Sequence, residues 1–205
     1  MKTEVLPAQD QLALSHALEI LQLGGLVAFP TDTVYGVGAL AFDGVAVKSI
    51  YAAKDRPLEK AIPVLIGDAD DFAKVSIEIP EIALKLAARF WPGPLTLVVR
   101  KHPELPEAVS AETTVGVRIP DHPVALALLR LVGPMAVTSA NLSGQPSPST
   151  AEEVFIQLGG RIALILDGGK TPGGVPSTVV DCLGEAPQVL RIGAISKNEI
   201  LAVSC

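Results

Sequence analysis

The chain has 205 residues, of which 49% are hydrophobic and 4% aromatic, and its 16 basic and 22 acidic residues give a formal net charge of −6. This length suits one sizeable α/β domain. The acidic balance excludes a surface that attracts polyanions throughout, so a phosphate site must be a local cluster of Lys and Arg. Cys182 and Cys205 form neither a zinc motif nor a disulfide framework, and no signal peptide or membrane-length apolar run is visible, so we expect a reduced, cytoplasmic protein.

Apolar periodicity predicts helices alternating with short buried strands. Helices are predicted at 8–23, 45–54, 68–75, 80–90, 124–131, 151–158 and 196–203. Strands are predicted at 26–29, 62–66, 95–100, 114–119, 135–138, 162–166, 177–181 and 188–191. This pattern indicates a parallel or mixed sheet covered by helices in one domain over residues 8–200. We expect no additional C-terminal domain. Several strands end at polar loops rich in Gly or Pro, where open α/β sheets bind ligands.

The first such loop follows a buried strand in FPTDTVYGVG, residues 29–38. Its glycines nearly complete a dinucleotide-binding GxGxxG motif. In that motif the first glycine follows the strand directly, whereas here five residues, 31–35, intervene. We therefore reject a hydride-transfer cofactor site and interpret Gly36 and Gly38 mainly as turn residues.

A second glycine-rich loop, DGGKT at residues 167–171, resembles the end of a P-loop. A P-loop requires glycine at the position of Leu164, and Pro172 opposes the helix that would have to follow. We reject a Walker nucleotide site here and favour a mobile, functional loop.

Three cations, Lys54, Arg56 and Lys60, follow one another at the end of the helix predicted at 45–54. Cations in a last helical turn can simply complement the helix dipole. Alternatively, Arg can form bidentate hydrogen bonds with phosphate oxygens while Lys acts as a point charge, so the three could bind a triphosphate. The sequence alone leaves both interpretations open.

Small polar side chains and two further arginines complete the candidate chemistry. The segment TSANLSG, residues 138–144, follows an apolar strand and is either an ordinary turn or a cradle for an anion or a sugar. Arg118 lies inside an apolar strand, and Arg191 ends another. A buried arginine requires a carboxylate, which is either a structural partner or part of a substrate.

Seven stretches, in order over residues 26–193, match one known family: FPTDTVYGVG, KDRP, WPGPLT, VGVRIPDHP, TSANLSGQPSPST, PSTVVD and VLRIG. The chain closely resembles the YrdC-like threonylcarbamoyl-AMP synthases. The resemblance implies an α/β fold with a twisted sheet around a deep, positively lined cavity. It also implies a nucleotidyltransferase that converts L-threonine, bicarbonate and ATP, with Mg²⁺ on the phosphates, to threonylcarbamoyl-AMP and pyrophosphate. Partner proteins would then transfer the group to adenosine in tRNA.

The resemblance also assigns site residues. It implies a catalytic set consisting of Lys54, Arg56, Ser139 and Asn141. It implies ATP contacts for Lys54, Arg56, Lys60, Thr114, Asn141, Ser149 and Arg191. It implies L-threonine contacts for Thr33, Arg118, Ser139 and Ser177, with Arg118 on the carboxylate. No side chain can be named as a metal ligand or general base. Two positions depart from some relatives, which have His in place of Leu65 and Asn in place of Lys60.

Two other functions compete with the synthase. The first is a non-enzymatic RNA-binding module; the acidic balance and the shortage of aromatic residues for base stacking oppose it and allow at most a weak RNA contact. The second is a hydrogenase-maturation carbamoyltransferase, whose extra modules need more length and more cysteines than this sequence has. We expect no membrane contact.

Overall fold

A ten-stranded mixed sheet runs through the computed structural model, which describes residues 2–10, 12–172 and 174–203. The strands are β1 Glu4–Pro7, β2 Val27–Phe29, β3 Gly36–Leu40, β4 Val64–Leu65, β5 Leu95–Arg100, β6 Thr114–Arg118, β7 Met135–Ser139, β8 Leu164–Asp167, β9 Thr178–Asp181 and β10 Gln188–Arg191. Their order across the sheet is β1-β8-β2-β3-β7-β4-β6-β5-β9-β10. The sheet contains both parallel pairs (β1/β8, β2/β8, β4/β6 and β5/β9) and antiparallel pairs (β2/β3, β3/β7, β4/β7, β5/β6 and β9/β10), so the predicted α/β fold with a mixed sheet is confirmed.

Seven α-helices cover the sheet in the described part of the chain. They are α1 Ala13–Gln22, α2 Gly44–Lys54, α3 Phe72–Val75, α4 Glu81–Phe90, α5 Pro123–Val132, α6 Ala151–Leu158 and α7 Lys197–Ala202, with a 3₁₀ turn at Ala69–Asp71 before α3. Most begin at a polar cap: the Asp43 carboxylate accepts hydrogen bonds from Val45 N and Ala46 N, both at 3.0 Å, at the start of α2. None of the helices among these residues is long and apolar enough to cross a membrane.

Two strands, β1 and β3, were not predicted from the sequence. Residues 4–7 form β1 beside β8, and α1 begins only at Ala13, so the helix predicted at 8–23 starts too early. The interpretation of Gly36 and Gly38 as turn residues is wrong, because both lie in β3 between β2 and β7. A Cβ at Gly38 would lie 2.7 Å from both Ala136 O and Val137 Cγ2, so glycine permits a close approach of β3 to β7. The domain span 8–200 stays a prediction.

Register places Thr114 and Arg118 on one face of the sheet. Leu65 of β4 pairs with Met135 of β7 and with Arg118 of β6, and Leu65 and Met135 are buried in the core cluster formed with α1 and α5. Paired residues point to the same face and alternate residues share it. Thr114 and Arg118 therefore lie on the face that α1 and α5 cover farther along the sheet, while α2, α4 and α6 pack on the opposite face.

Candidate active site

A buried guanidinium lies at the end of β6. Arg118 is 6% exposed, and its Nε donates to Gly93 O at 3.0 Å, its Nη1 to Thr33 Oγ1 at 3.3 Å and its Nη2 to the Asp32 carboxylate. Burial lowers the pKa of Arg118, and the adjacent carboxylate of Asp32 opposes that shift. Arg118 thus has a structural carboxylate partner, which is the first of the two alternatives that its sequence position left open. The pairing leaves some N–H donors of Arg118 unused.

A second arginine adjoins the first. Arg191, at the end of β10, donates from Nε and Nη2 to Ser177 O at 3.2 and 3.0 Å, and from Nη2 to Ser177 Oγ at 3.1 Å. The same Ser177 hydroxyl lies 2.9 Å from Thr96 Oγ1. Burial has the largest effect on the pKa of Arg118, and the positive charge of Arg191 adds to the lowering.

A buried lysine lies at the end of α2. Lys54 is 1% exposed, and its ammonium donates to Ser139 O at the end of β7 and to Asn141 O in the loop that follows. Burial and then the nearby charge of Arg56 lower the pKa of Lys54 to about 7. Both acceptor carbonyls lie outside α2, so this contact is not an interaction of the Lys54 charge with the dipole at the end of its own helix. The lysine connects α2 to the Ser139–Asn141 segment instead.

Asn141 holds that loop in place through its own side chain. Its Nδ2 donates to Leu142 O and to Gln145 O, both at 2.8 Å. Its Oδ1 is buried and accepts no hydrogen bond from any residue that the structure describes. A buried unpaired acceptor is costly, so Asn141 has a free position for a ligand donor.

Arg56 and Lys60 lie on the loop after α2. Arg56 uses Nε and Nη2 to bind Lys60 O at 3.3 and 3.2 Å, and Nη2 also donates to Ala61 O at 3.0 Å. Tyr51 supports the same loop by donating to Lys60 O at 3.2 Å. The Lys60 side chain is exposed. Arg56 therefore fixes the loop backbone, and Lys60 adds a charge that extends into solvent.

The turn at residues 31–35 joins the Arg118 group to the Lys54 group. Thr31 Oγ1 lies 3.0 Å from Thr33 Oγ1 and accepts from Val34 N at 3.3 Å, which closes the turn. On one side the turn contacts Arg118. On the other, Tyr35 O accepts from Ala140 N at 2.8 Å, beside Ser139. Thr33 and Arg118 thus belong to one group, and Lys54, Ser139 and Asn141 to a second on the other side of the turn. Ser177 and Arg191 form a further hydrogen-bonded pair, and Arg56 lies on the loop after α2.

The other predicted site residues lie farther out. Ser149 precedes α6, and its N and Oγ both donate to Glu153 Oε2, at 2.6 and 3.1 Å, beside a groove of about 520 Å³ that Lys170 also lines. Thr114 begins β6, on the same face as Arg118. Among the described residues, no hydrogen bond links the side chains of Lys60, Thr114 or Ser149 to the two groups above. The predicted deep, positively lined cavity stays a prediction.

Sequence reasoning missed Asp32 and Tyr35. The Tyr35 hydroxyl donates to Gly169 O at 2.7 Å and accepts from Gly168 N at 3.3 Å, so it ties the loop at 167–171 to the site turn. Burial raises the pKa of Tyr35 to about 12, which keeps the hydroxyl a donor. The available signal was the polar run TDTVY directly after a buried strand.

Several known proteins are similar in sequence to this chain over most of its length. The Sua5/YciO/YrdC family model, described as telomere recombination, matches residues 19–193. A threonylcarbamoyl-AMP synthase of Bacillus subtilis (strain 168) is 48% identical over 193 residues, which cover 93% of this chain and 56% of the relative. A threonylcarbamoyl-AMP synthase of Pyrococcus abyssi (strain GE5 / Orsay) is 46% identical over 193 residues, which cover 93% of this chain and 57% of the relative. The chain therefore spans little more than half the length of these two relatives.

Solved structures share the fold. The crystal structure of P. abyssi Sua5 complexed with L-threonine superposes with a TM-score of 0.93 at 42% sequence identity, covering 99% of this chain and 61% of that chain. The crystal structure of E. coli YciO superposes with a TM-score of 0.85 at 28% identity, covering 97% of this chain and 98% of that chain. With a family model that matches most of the sequence, and with these relatives, the chain belongs to the Sua5/YciO/YrdC family, as its motifs predicted.

Proposed function

We propose that this chain is an L-threonylcarbamoyladenylate synthase, a nucleotidyltransferase that converts L-threonine, bicarbonate and ATP to threonylcarbamoyl-AMP and pyrophosphate. One observation carries the proposal. In a member of this family, the buried Arg118 with its hydroxyl neighbours lies one short turn away from the buried Lys54 and the Ser139–Asn141 loop. The first group suits an amino acid, and the second suits a polyphosphate.

The amino acid half of the site is the Arg118 group. A guanidinium has five N–H donors, of which Arg118 uses three on Gly93 O, Thr33 Oγ1 and Asp32. The remaining donors suit a substrate carboxylate. Thr33 and Ser177 are almost fully buried and carry the hydroxyls that would bind the hydroxyl of L-threonine. P. abyssi Sua5, a relative with the same fold, was crystallised with L-threonine, which supports an amino acid ligand for this fold.

The nucleotide half of the site is the Lys54 group with its surrounding cations. Lys54, Arg56, Lys60 and Arg191 would neutralise the phosphates, and Thr114, Ser139, Asn141 and Ser149 would position the nucleotide. Arg forms bidentate bonds with phosphate oxygens, and Lys supplies a compact charge. The chain as a whole is acidic, with a net charge of −6, so these local cations are required for ATP to enter.

The reaction joins anions, which defines what the protein has to do. The threonine amine and bicarbonate would form a carbamate with loss of water, and a carbamate oxygen would then attack the α-phosphorus of ATP and displace pyrophosphate. The cations offset the repulsion, and holding the reactants in line can lower such a barrier by roughly 7–11 kcal/mol. No group of three His, Cys, Asp or Glu side chains that could hold a metal ion is found among the described residues. Mg²⁺ usually binds substrate phosphates and few protein ligands, so it would enter on the ATP phosphates.

In the cell the product would feed the N6-threonylcarbamoyl modification of tRNA, with partner proteins performing the transfer. The names of the relatives support this role over a non-enzymatic RNA-binding module. RNA titration at increasing salt separates the two functions, because phosphate-driven RNA binding weakens steeply with salt. Indifference to RNA supports the synthase.

Pyrophosphate release tests the proposal. We expect release from ATP only when L-threonine and bicarbonate are both present, and loss of it in Lys54→Ala and Arg118→Ala. Arg130→Ala is the matched control, because Arg130 forms an exposed pair with Asp68 at 2.8 Å and, within the described residues, its side chain bonds to none of the predicted site residues. Release that continues without threonine or without bicarbonate would refute the synthase activity.

A further inference from the structure

Asp32 has one carboxylate oxygen that its structural role does not use. Its Oδ1 accepts the hydrogen bond from Arg118 Nη2, and the two side chains are 13% and 8% exposed, respectively. Its Oδ2 is buried and accepts no hydrogen bond from the residues that the structure describes. A carboxylate oxygen removed from water without a donor is destabilising, so it points to a missing donor.

The surroundings of Asp32 define what that donor can be. Arg118, the nearest cation, is already bonded to Oδ1, and Thr33 Oγ1 accepts from the same guanidinium. Half-buried His122 is close enough that Asp32 raises its pKa, yet burial has the larger effect and lowers it, which favours the neutral ring. No protein cation other than Arg118 therefore bonds to Asp32, within the described residues, and a cationic ligand group would fill the free position.

We propose that Asp32 binds the α-ammonium group of the amino acid substrate through Oδ2. This inference rests on the proposed function. An α-amino acid carries its carboxylate and ammonium on the same carbon, so a site for the zwitterion needs an acceptor beside the cation that holds the carboxylate. Arg118 and Asp32, in direct contact, form that complementary pair.

Neutralising the charge of Arg118 does not by itself explain why Asp32 Oδ2 is buried. Pairing with Arg118 requires one oxygen of Asp32, and an exposed second oxygen would be satisfied by water at no cost. The second oxygen is instead buried beside Thr33, itself 5% exposed, in the group that would bind threonine. Asp32 thus compensates the charge of Arg118 before the substrate arrives and binds the substrate amine afterwards.

Titration calorimetry with two ligands tests the assignment: L-threonine and (R)-3-hydroxybutyrate, which is threonine without its amine. We expect the unsubstituted protein to prefer threonine by at least about tenfold, the size of a hydrogen bond between charged groups. Asp32→Asn should remove at least about tenfold of threonine affinity and leave the affinity for 3-hydroxybutyrate unchanged or higher. Asp121→Asn is the matched control, because it removes a neighbouring exposed carboxylate and should change neither affinity.

Asp32→Asn also removes the partner of a buried arginine, so its thermal unfolding is measured first. If that variant loses its cooperative transition, Asp32→Glu replaces it, since it keeps the charge and displaces the carboxylate by one methylene. Asp32→Glu should likewise lower the preference for threonine over 3-hydroxybutyrate. An unchanged preference for threonine over 3-hydroxybutyrate in the folded variant overturns the role of Asp32 but not the proposed function. Absence of threonine binding to the unsubstituted protein overturns the proposed function.

Discussion

The low pKa of Lys54 makes nucleotide binding depend on pH. Burial and the charge of Arg56 bring this pKa to about 7, so much of the population carries a neutral amine above that pH. If only the ammonium form binds the phosphates, the apparent Kd is the intrinsic value divided by the protonated fraction. The Kd for ATP should then rise roughly 75-fold between pH 7.5 and 9.5.

Titration calorimetry with ATP over this range measures the effect, because the last phosphate proton of ATP has largely left by pH 7.5 and the arginines stay charged. Lys54→Met should bind ATP more weakly and without pH dependence. A Kd for the unsubstituted protein that stays constant from pH 7.5 to 9.5 would refute the reasoning, since Lys54 would then be either fully charged or absent from the phosphate site.

The same pKa has a consequence for stability. The folded-state pKa of Lys54 lies below its ordinary value of 10.5, so between about 7 and 10.5 the unfolded chain binds more protons than the folded one. This residue therefore makes the folded protein gain stability as pH rises through that window. In Lys54→Met that gain should be absent from denaturant titrations at pH 7.5 and 9.5.

Three further substitutions or treatments test other parts of the structure. Gly38→Ala places a Cβ against β7 and should lower the free energy of unfolding by about 1–3 kcal/mol, which lowers Tm by roughly 2–12 °C in calorimetry. Gly184→Ala is the control, because its Cβ would make an ordinary contact at 3.5 Å and should lower Tm little. Equal Tm values for the two variants would contradict the close packing of β3 on β7. Arg118→Lys keeps the charge but loses the bidentate hydrogen bonding of the guanidinium, so the KM for threonine should rise at least about tenfold. The KM for ATP should change by no more than about twofold. A rise in the KM for ATP alone would reverse the assignment of Arg118 to threonine. Burial raises the pKa of Cys182 to about 12, so peptide mass mapping should find it unmodified by iodoacetamide at pH 8 in the folded protein and alkylated after unfolding.

Local patterns predicted most of the elements. The strands at 95–100 and 188–191 and the helix at 151–158 have the predicted bounds, because their apolar periodicity and turn residues agree. β3 was missed because its two glycines are a strong turn signal when only the sequence is considered. The need for them comes from β7, about a hundred residues later. The strand predicted at 62–66 shortens to Val64–Leu65, since Pro63 has no N–H to continue the ladder.

The site was predicted only in part, for a physical reason. Residue types and motifs indicated Lys54 and Arg118 as candidates. The hydrogen-bond partners of Lys54 are backbone carbonyls, which any residue could provide, so no side-chain pattern reports them. The partner of Arg118 is Asp32, 86 positions away, and only the fold brings them into contact. The sequence contains Asp32 in the TDTVY segment, but no pattern in the sequence indicates a role for it.

The central claim is that one site joins threonine, bicarbonate and ATP. Mass spectrometry of the nucleotide products formed with ¹³C-bicarbonate tests it most directly. The account predicts a threonylcarbamoyl-AMP that carries the ¹³C label and that disappears in Arg118→Ala. An adenylate formed without the label, or no adenylate at all from the folded protein supplied with all three substrates, would contradict it.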